Sequence, residues 1–381
     1  DGVLYGVCPR GGSGGFGIIF KIDKSGTGYA VMRSFSGGNN DGENPAAPLL
    51  EGSDGVLYGT TEFGGNRYTD PDLGTTSSVG TIFKISKSGT YSLVKKFVVD
   101  NDARHPTAPL IEATNGMLYG SSAAGGTVYT DEYGAKFTAG VVFRLNKAGS
   151  SYSIVRQFLG VNDAQNPAGG VVQSSDGKLY GTTEYDHPDY SGALFRMNLD
   201  GTGYSVLFRF GVTNGQSPTT ALIEASDGRL YGTTSRGGKA DVGTVFCFNR
   251  TNSTHTVLHH FSPSGGDPGE LDAPLIEGSD GWLYGVSRKG GDDNAGTVFK
   301  VSQSGTGFAI LHSFLADGFD GSEPVGPLVE GSDQVLYGVT TYGGTNSTGT
   351  IYKLNKDGTV YAILLHFVLQ GGQSRSPAAG L

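Results

Sequence analysis

The chain has 381 residues, of which 65 are glycine, 20 phenylalanine and 19 tyrosine, and only 17 % are charged. Disordered glycine-rich chains lack aromatic residues, so this composition predicts a folded protein of short strands and tight turns, with few helix formers. A net charge of −9 and a pI near 5.2 argue against a nucleic-acid or anionic-membrane surface. No apolar run approaches the roughly 20 residues that span a bilayer, and Cys8 and Cys247 give neither a disulfide framework nor a zinc spacing.

In chain order the first element is a strand ending in Leu4-Tyr5-Gly6, and the same tripeptide returns at Tyr58, Tyr119, Tyr180, Tyr231, Tyr284 and Tyr337. The intervals are 53, 61, 61, 51, 53 and 53 residues, which places repeats at about 1–53, 54–114, 115–175, 176–226, 227–279, 280–332 and 333–381. Each repeat divides into four strands. Strand A (APLIEG) turns at Ser-Asp-Gly into strand B (LYGTT). A loop containing Gly-Gly leads to strand C (GTVFKI), and a Lys-Ser-Gly turn leads to strand D. Aromatic residues recur on strand C (Phe20, Phe83, Phe143, Phe195, Phe246, Phe299, Tyr352). They also close strand D (Phe35, Phe97, Phe158, Phe210, Phe261, Phe314, Phe367). Both sets are expected to pack between neighbouring blades.

Four short strands per repeat, without helical periodicity, predict an all-β closed seven-bladed β-propeller with four antiparallel strands per blade, in a single domain over 1–381. The chain opens on strand B and stops just after strand A begins (Ser376-Pro377-Ala378-Ala379-Gly380-Leu381). One blade is therefore expected to join the N- and C-terminal strands, which closes the ring without capping repeats.

The pattern LYGTT…GG…GTVFK…G…LHSF resembles the GloVer-type tandem-repeat family along essentially the whole chain. That resemblance implies the propeller and an extracellular or cell-surface setting. A leader removed upstream is compatible with a chain that opens within a repeat.

In this topology the B–C and D–A loops share the variable face, where function is expected. The B–C loops of the second and third repeats are long (Glu62 to Gly80, Ala123 to Gly140) and the fourth holds Tyr185, His187 and Tyr190. Aligning the D–A loops brings Asn44, His105, Asn166, Ser217, Glu270, Glu323 and Ser376 to one position, before a proline in all but Glu270, which Leu271 follows. A residue before proline is expected to be extended, and this set to ring the channel mouth. His255, His259, His260, His312 and His366 lie on strand D and belong to the architecture, whereas His105 and His187 stand outside the repeat pattern.

Two functions follow. Arg67, Tyr68, Asn44, Asn166, Tyr185, Tyr190, Glu270 and Glu323 provide platforms and anchors for a carbohydrate or protein ligand, the leading expectation, with the chain acting as a monomer. The alternative is β-elimination on a uronic-acid polysaccharide, with His105, Arg104, Tyr129, Tyr133 and His187 as its catalytic groups. This inventory is similar to that of seven-bladed ulvan and rhamnose–glucuronate lyases. Those enzymes carry a second histidine upstream of the first, and Thr81 to Asp102 contains none. No cofactor is expected. Calcium would find oxygen donors at Asp70 and Asp72 or at Asp100 and Asp102, although neither spacing matches a known calcium loop.

Overall fold

A computed structural model of the chain describes residues 2–69, 76–99, 101–130, 136–160, 163–186, 189–262, 266–368, 374–375, 377 and 380–381. It is a seven-bladed β-propeller. Among the described residues six sheets have four antiparallel strands and one has three. In the second blade the order outward from the axis is Leu50–Glu51, Leu57–Thr61, Thr81–Ile85 and Tyr91–Lys96, that is A-B-C-D.

The repeated residues form these sheets for a steric reason. The strand C aromatic ring lies over the Leu-Tyr-Gly glycine opposite it. A Cβ on Gly6 would come within 2.5 Å of Phe20, and one on Gly181 within 2.6 Å of Phe195. The glycine and the aromatic residue therefore recur together. At the same place the C–D ladder slips in every blade, from Ile19/Phe20 to Ile351/Tyr352. The seven strand C rings are fully buried, each stabilising by roughly 1.5–3 kcal/mol.

The apolar core is one cluster per junction. Tyr58, Ile82 and Phe97 of blade two pack with Leu118 and Phe143 of blade three. Equivalent clusters join the other neighbours, including blades seven and one through Tyr337, Ile351 and Phe367 against Leu4, Ile18 and Phe20. The ring is therefore closed. Its seam is made by both chain ends: Ser374–Arg375 pairs with Arg10–Gly11, and Leu381 approaches Gly6 and Phe20 where Leu49, Leu110 and Leu275 approach the glycines of other blades.

An ionic clasp reinforces most junctions. In the first, the buried Asp41 carboxylate accepts from the Ser36 and Gly42 amides, the Tyr91 hydroxyl of blade two and Arg33, whose guanidinium lies over the Tyr91 ring. Asp102 with Lys95 and Tyr152, Asp163 with Arg156 and Tyr204, and Asp320 with His312 and Tyr361 repeat it. His312 and His259 take the place of the cation and stack on the next blade's ring at 3.7 and 3.8 Å; burial lowers the pKa of His259, whose Nε2 lies 3.7 Å from Asp267 without a hydrogen bond. These two histidines are architectural, as their place in the repeat predicts. Two junctions depart from it: between blades four and five Phe208, Asn214 and His255 stand in place of cation, aspartate and tyrosine, with Phe208 and His255 stacked at 4.0 Å, and between blades seven and one Leu365 takes the place of the cation.

Candidate functional site

The variable face rests on one repeated backbone device. Asn44, His105, Asn166, Ser217, Glu270 and Glu323 are not extended as pre-proline sterics predict, but left-handed, with φ between 52° and 60°. In all but Glu270 an amide hydrogen bond to the preceding blade holds them there. The His105 amide donates to the Val79 carbonyl at 3.1 Å, that of Asn166 to Ala139 and that of Glu323 to Ala295. Each following proline packs on the glycine that opens strand C of the preceding blade: a Cβ on Gly140 would meet Pro167 Cδ at 2.6 Å. Left-handed backbone costs a non-glycine residue about 1–2 kcal/mol, and the inter-blade hydrogen bonds offset it. Leu271 lacks the proline ring, yet Glu270 keeps the same conformation, so the proline is not required for it.

This set does not line the channel. The lining starts two residues later, at Ala46, Thr107, Ala168, Thr219, Asp272 and Val325, around a cavity of about 390 Å³. Charge enters only at its mouth, where Arg288 lies 3.5 Å from Asp272.

The remaining sites proposed from sequence fall into separate environments. His105 has its Nδ1 3.2 Å from the Glu62 carbonyl and its ring edge-on to Phe63. Burial, and then the nearby Arg104, hold it below the ordinary histidine range. Arg104 donates twice to the Val99 carbonyl, at 3.0 and 2.7 Å. Tyr129 packs against Phe137 and covers Gly160, whose missing side chain makes room for the phenol. Burial, with Tyr190 and Asp163 nearby, pushes it up to about 12. The Asn44 and Asn166 amides donate to Glu62 and Glu184, and Glu323 is neutralised by Arg288 and Lys289 at 2.6 and 2.7 Å. Glu270 lines a cleft of about 460 Å³ with Lys289 and Asn294. Arg67 is exposed on a short strand, Arg67–Thr69, paired with Thr76–Ser78. Only the backbone of Tyr68 is described, and Tyr133, His187 and Ser376 lie outside the described residues. So do Asp70, Asp72 and Asp100; among the residues that are described no cluster of His, Cys, Asp and Glu is arranged to hold a metal ion.

Two further clefts open on this face. One, between blades four and five, is a cavity of about 390 Å³ whose walls include Glu184, Tyr185, Tyr190, Gln216, Ser217 and Arg236. Tyr185 and Tyr190 are 37 % and 57 % exposed, as ring platforms must be. A hydrogen bond to Glu184, then burial, pushes Tyr185 up to about 12, so it remains a neutral phenol. The other cleft, about 500 Å³, is centred on blade one, with Arg10, Phe16, Glu43, Asn44, Phe63 and Tyr342 in its walls. Sequence reasoning singled out Tyr185, Tyr190 and Asn44 but missed Arg236, Gln216, Arg10, Phe16 and Phe63. For Arg10, Phe63 and Arg236 the signal was available in register: with Tyr185 and Tyr342 they stand five residues after the Leu-Tyr-Gly tyrosine.

The Gloeobacter/Verrucomicrobia repeat model matches residues 1–134, 127–318 and 263–381. The chain belongs to this family. The repeat is thus the GloVer-type unit seen in the Leu-Tyr-Gly pattern, and the three matches cover the ring from end to end. No curated protein is similar to the chain in sequence. Solved structures share the fold. A periplasmic gluconolactonase from Pseudomonas aeruginosa superposes with a TM-score of 0.60 at 17 % identity over 98 % of each chain. A protein from Bacteroides fragilis described as a candidate 6-phosphogluconolactonase gives 0.61 at 16 % identity over 100 % of this chain and 98 % of its own. At such identities the likeness is one of architecture alone.

Proposed function

We propose that this repeat-family propeller is an extracellular or cell-surface monomer that binds carbohydrate on its B–C/D–A face. The cleft between blades four and five carries this reading. It combines two exposed tyrosine rings with amide, hydroxyl, carboxylate and guanidinium groups around one concavity, which is what a sugar needs: a flat apolar face to cover and a polar rim to bond. The groups suggested for elimination are placed differently. The His105 Nδ1 faces a backbone carbonyl and Tyr129 is folded over Gly160. Neither lines the two clefts or the channel cavity.

Glycan-array screening followed by calorimetry on the best ligand tests the reading. Tyr185→Ala and Tyr190→Ala should each weaken binding several-fold, up to about tenfold for a stacking ring, without changing the melting temperature. Incubation with uronic-acid polysaccharides gives the opposing outcome. A rise in ultraviolet absorbance from an unsaturated uronate, abolished in both His105→Ala and His105→Asn, would make the protein a lyase and refute the binding role. Asparagine tolerates the left-handed backbone at this position, so that variant separates loss of chemistry from loss of the fold.

A further inference from the structure

Three of the cavities on the variable face share wall residues. Thr219 and Asp272 line both the four–five cleft and the channel mouth, and Thr341 lines both the channel mouth and the blade-one cleft. In a ring of seven, the junction of blades four and five lies diametrically opposite blade one. The shared walls therefore describe a single groove that crosses the face through the axis.

Its two ends are alike. At one end Tyr185 and Tyr190 flank Arg236, and at the other Phe16, Phe63 and Tyr342 flank Arg10. The middle is lined by small side chains such as Ala46, Ala168 and Gly169, which leave room for a chain to pass over the channel. The ionisable groups along the walls balance: Arg10, Arg236 and Arg288 against Glu43, Glu184 and Asp272. Burying a charged polymer on such a balanced surface would leave its charges without net compensation, whereas hydroxyl groups find donors and acceptors throughout.

We infer that the groove binds one linear, uncharged polysaccharide chain that spans the face, with an aromatic subsite at each end. This rests on the carbohydrate reading above and extends it from a single cleft to a chain-length requirement. Occupying both ends with one polymer makes the second contact intramolecular, so affinity rises steeply once the ligand is long enough to bridge them.

Affinity electrophoresis in gels containing hydroxyethylcellulose, laminarin, mannan, xylan or dextran, with alginate and hyaluronan as charged controls, tests this. Retardation is expected in at least one neutral gel. It should weaken roughly tenfold in Tyr342→Ala and in Tyr185→Ala alike, both variants melting as the parent does. A disaccharide of the retarding polymer, followed by calorimetry, should bind weakly and lose affinity in Tyr185→Ala. Retardation that Tyr185→Ala abolishes and Tyr342→Ala leaves unchanged would overturn the spanning groove while the carbohydrate reading stands. Retardation in the charged gels alone would overturn the uncharged class. Mobility unaffected by every gel would sink both readings together.

Discussion

The inter-blade clasp makes the strongest quantitative prediction, and Asp41 is the place to test it. Its carboxylate is 2 % exposed and accepts from the Ser36 amide at 2.8 Å, the Gly42 amide at 2.9 Å and the Tyr91 hydroxyl at 2.8 Å. Burial alone would raise its pKa; these bonds and the Arg33 ion pair outweigh burial and hold it below the usual carboxylate value. Asp41→Ala strands the buried Gly42 amide and the Tyr91 phenol, at about 1–3 kcal/mol for each unsatisfied group. The Arg33 side chain is 35 % exposed, so its pair adds only the ~0.2–1 kcal/mol of a screened surface contact. The expected loss is therefore about 3–5 kcal/mol, read from urea denaturation followed by tyrosine fluorescence and by circular dichroism. Asp41→Asn keeps one acceptor oxygen and should lose about half as much. Because the folded carboxyl is held below its unfolded value of 3.8, its contribution is complete above that pH and disappears as the pH falls through the folded value. The gap between parent and Asp41→Asn should close over the same interval. A loss under about 1 kcal/mol for Asp41→Ala, or a gap independent of pH in acid, would refute the clasp as a source of stability.

Two further predictions concern backbone and pH. Gly80 has φ +95°, and a Cβ there would lie 2.5 Å from the Thr61 carbonyl oxygen, whereas Gly55 has φ +72° and open space around it. Gly55→Ala should cost only the ~1–2 kcal/mol of a left-handed alanine; Gly80→Ala should cost clearly more, because the inter-blade contact with Pro106 must also yield. Thermal melts of the two variants make the comparison, and equal losses would refute the packing argument. His255 is stacked on Phe208 with its Nε2 buried and unpaired, and burial lowers its pKa from 6.5 to about 4. The unfolded chain therefore takes up a proton first. Stability should decline as the pH falls from about 6.5 to about 4, and His255→Phe should flatten that decline in denaturation series. An unchanged slope would show that His255 is protonated in the folded ring.

The architecture was legible in the sequence because its causes are local and repeat. A glycine under a strand C ring, an Asp-Gly turn and a strand D phenylalanine are each decided within a few residues, and seven copies in register leave little ambiguity. Closure was legible for the same reason: the partial repeats at the two ends complement each other, and Leu381 takes the place of a strand A leucine. What failed was the D–A position. Pre-proline sterics favour extended backbone for Asn44 or His105, but the partner that overrides them, a carbonyl such as that of Phe16 or Val79, lies on the neighbouring blade. A local rule has no access to it. The same error moved the candidate ring onto the channel mouth, which begins two residues further along. The clefts were hidden because each draws its walls from several blades, so Arg236 and Tyr185 come together only once the ring is built.

The departures from the repeat coincide with the groove. Arg33, Lys95, Arg156, His259 and His312 put a basic side chain at one position of five junctions; at the other two Phe208 and Leu365 stand there instead. Those two are the four–five and the seven–one junctions; the first lies under the Tyr185–Tyr190 cleft and the second under one side of the blade-one cleft, whose other side rests on the intact clasp of blades one and two. A clasp ties the D–A loop down on strand D through an aspartate; Asn214 instead caps only its own turn, through the Gly211 amide at 2.7 Å. A rim held by fewer ionic ties can adjust to a ligand at lower cost than one held by a buried ion pair, because no charge is uncovered when it moves. Relaxation of the clasp and the presence of exposed rings at the same two junctions are independent features of the sequence. Both features recur on broadly opposite sides of the ring, where the cavities share wall residues, and that is the physical reason to treat the groove as a single site rather than as two clefts.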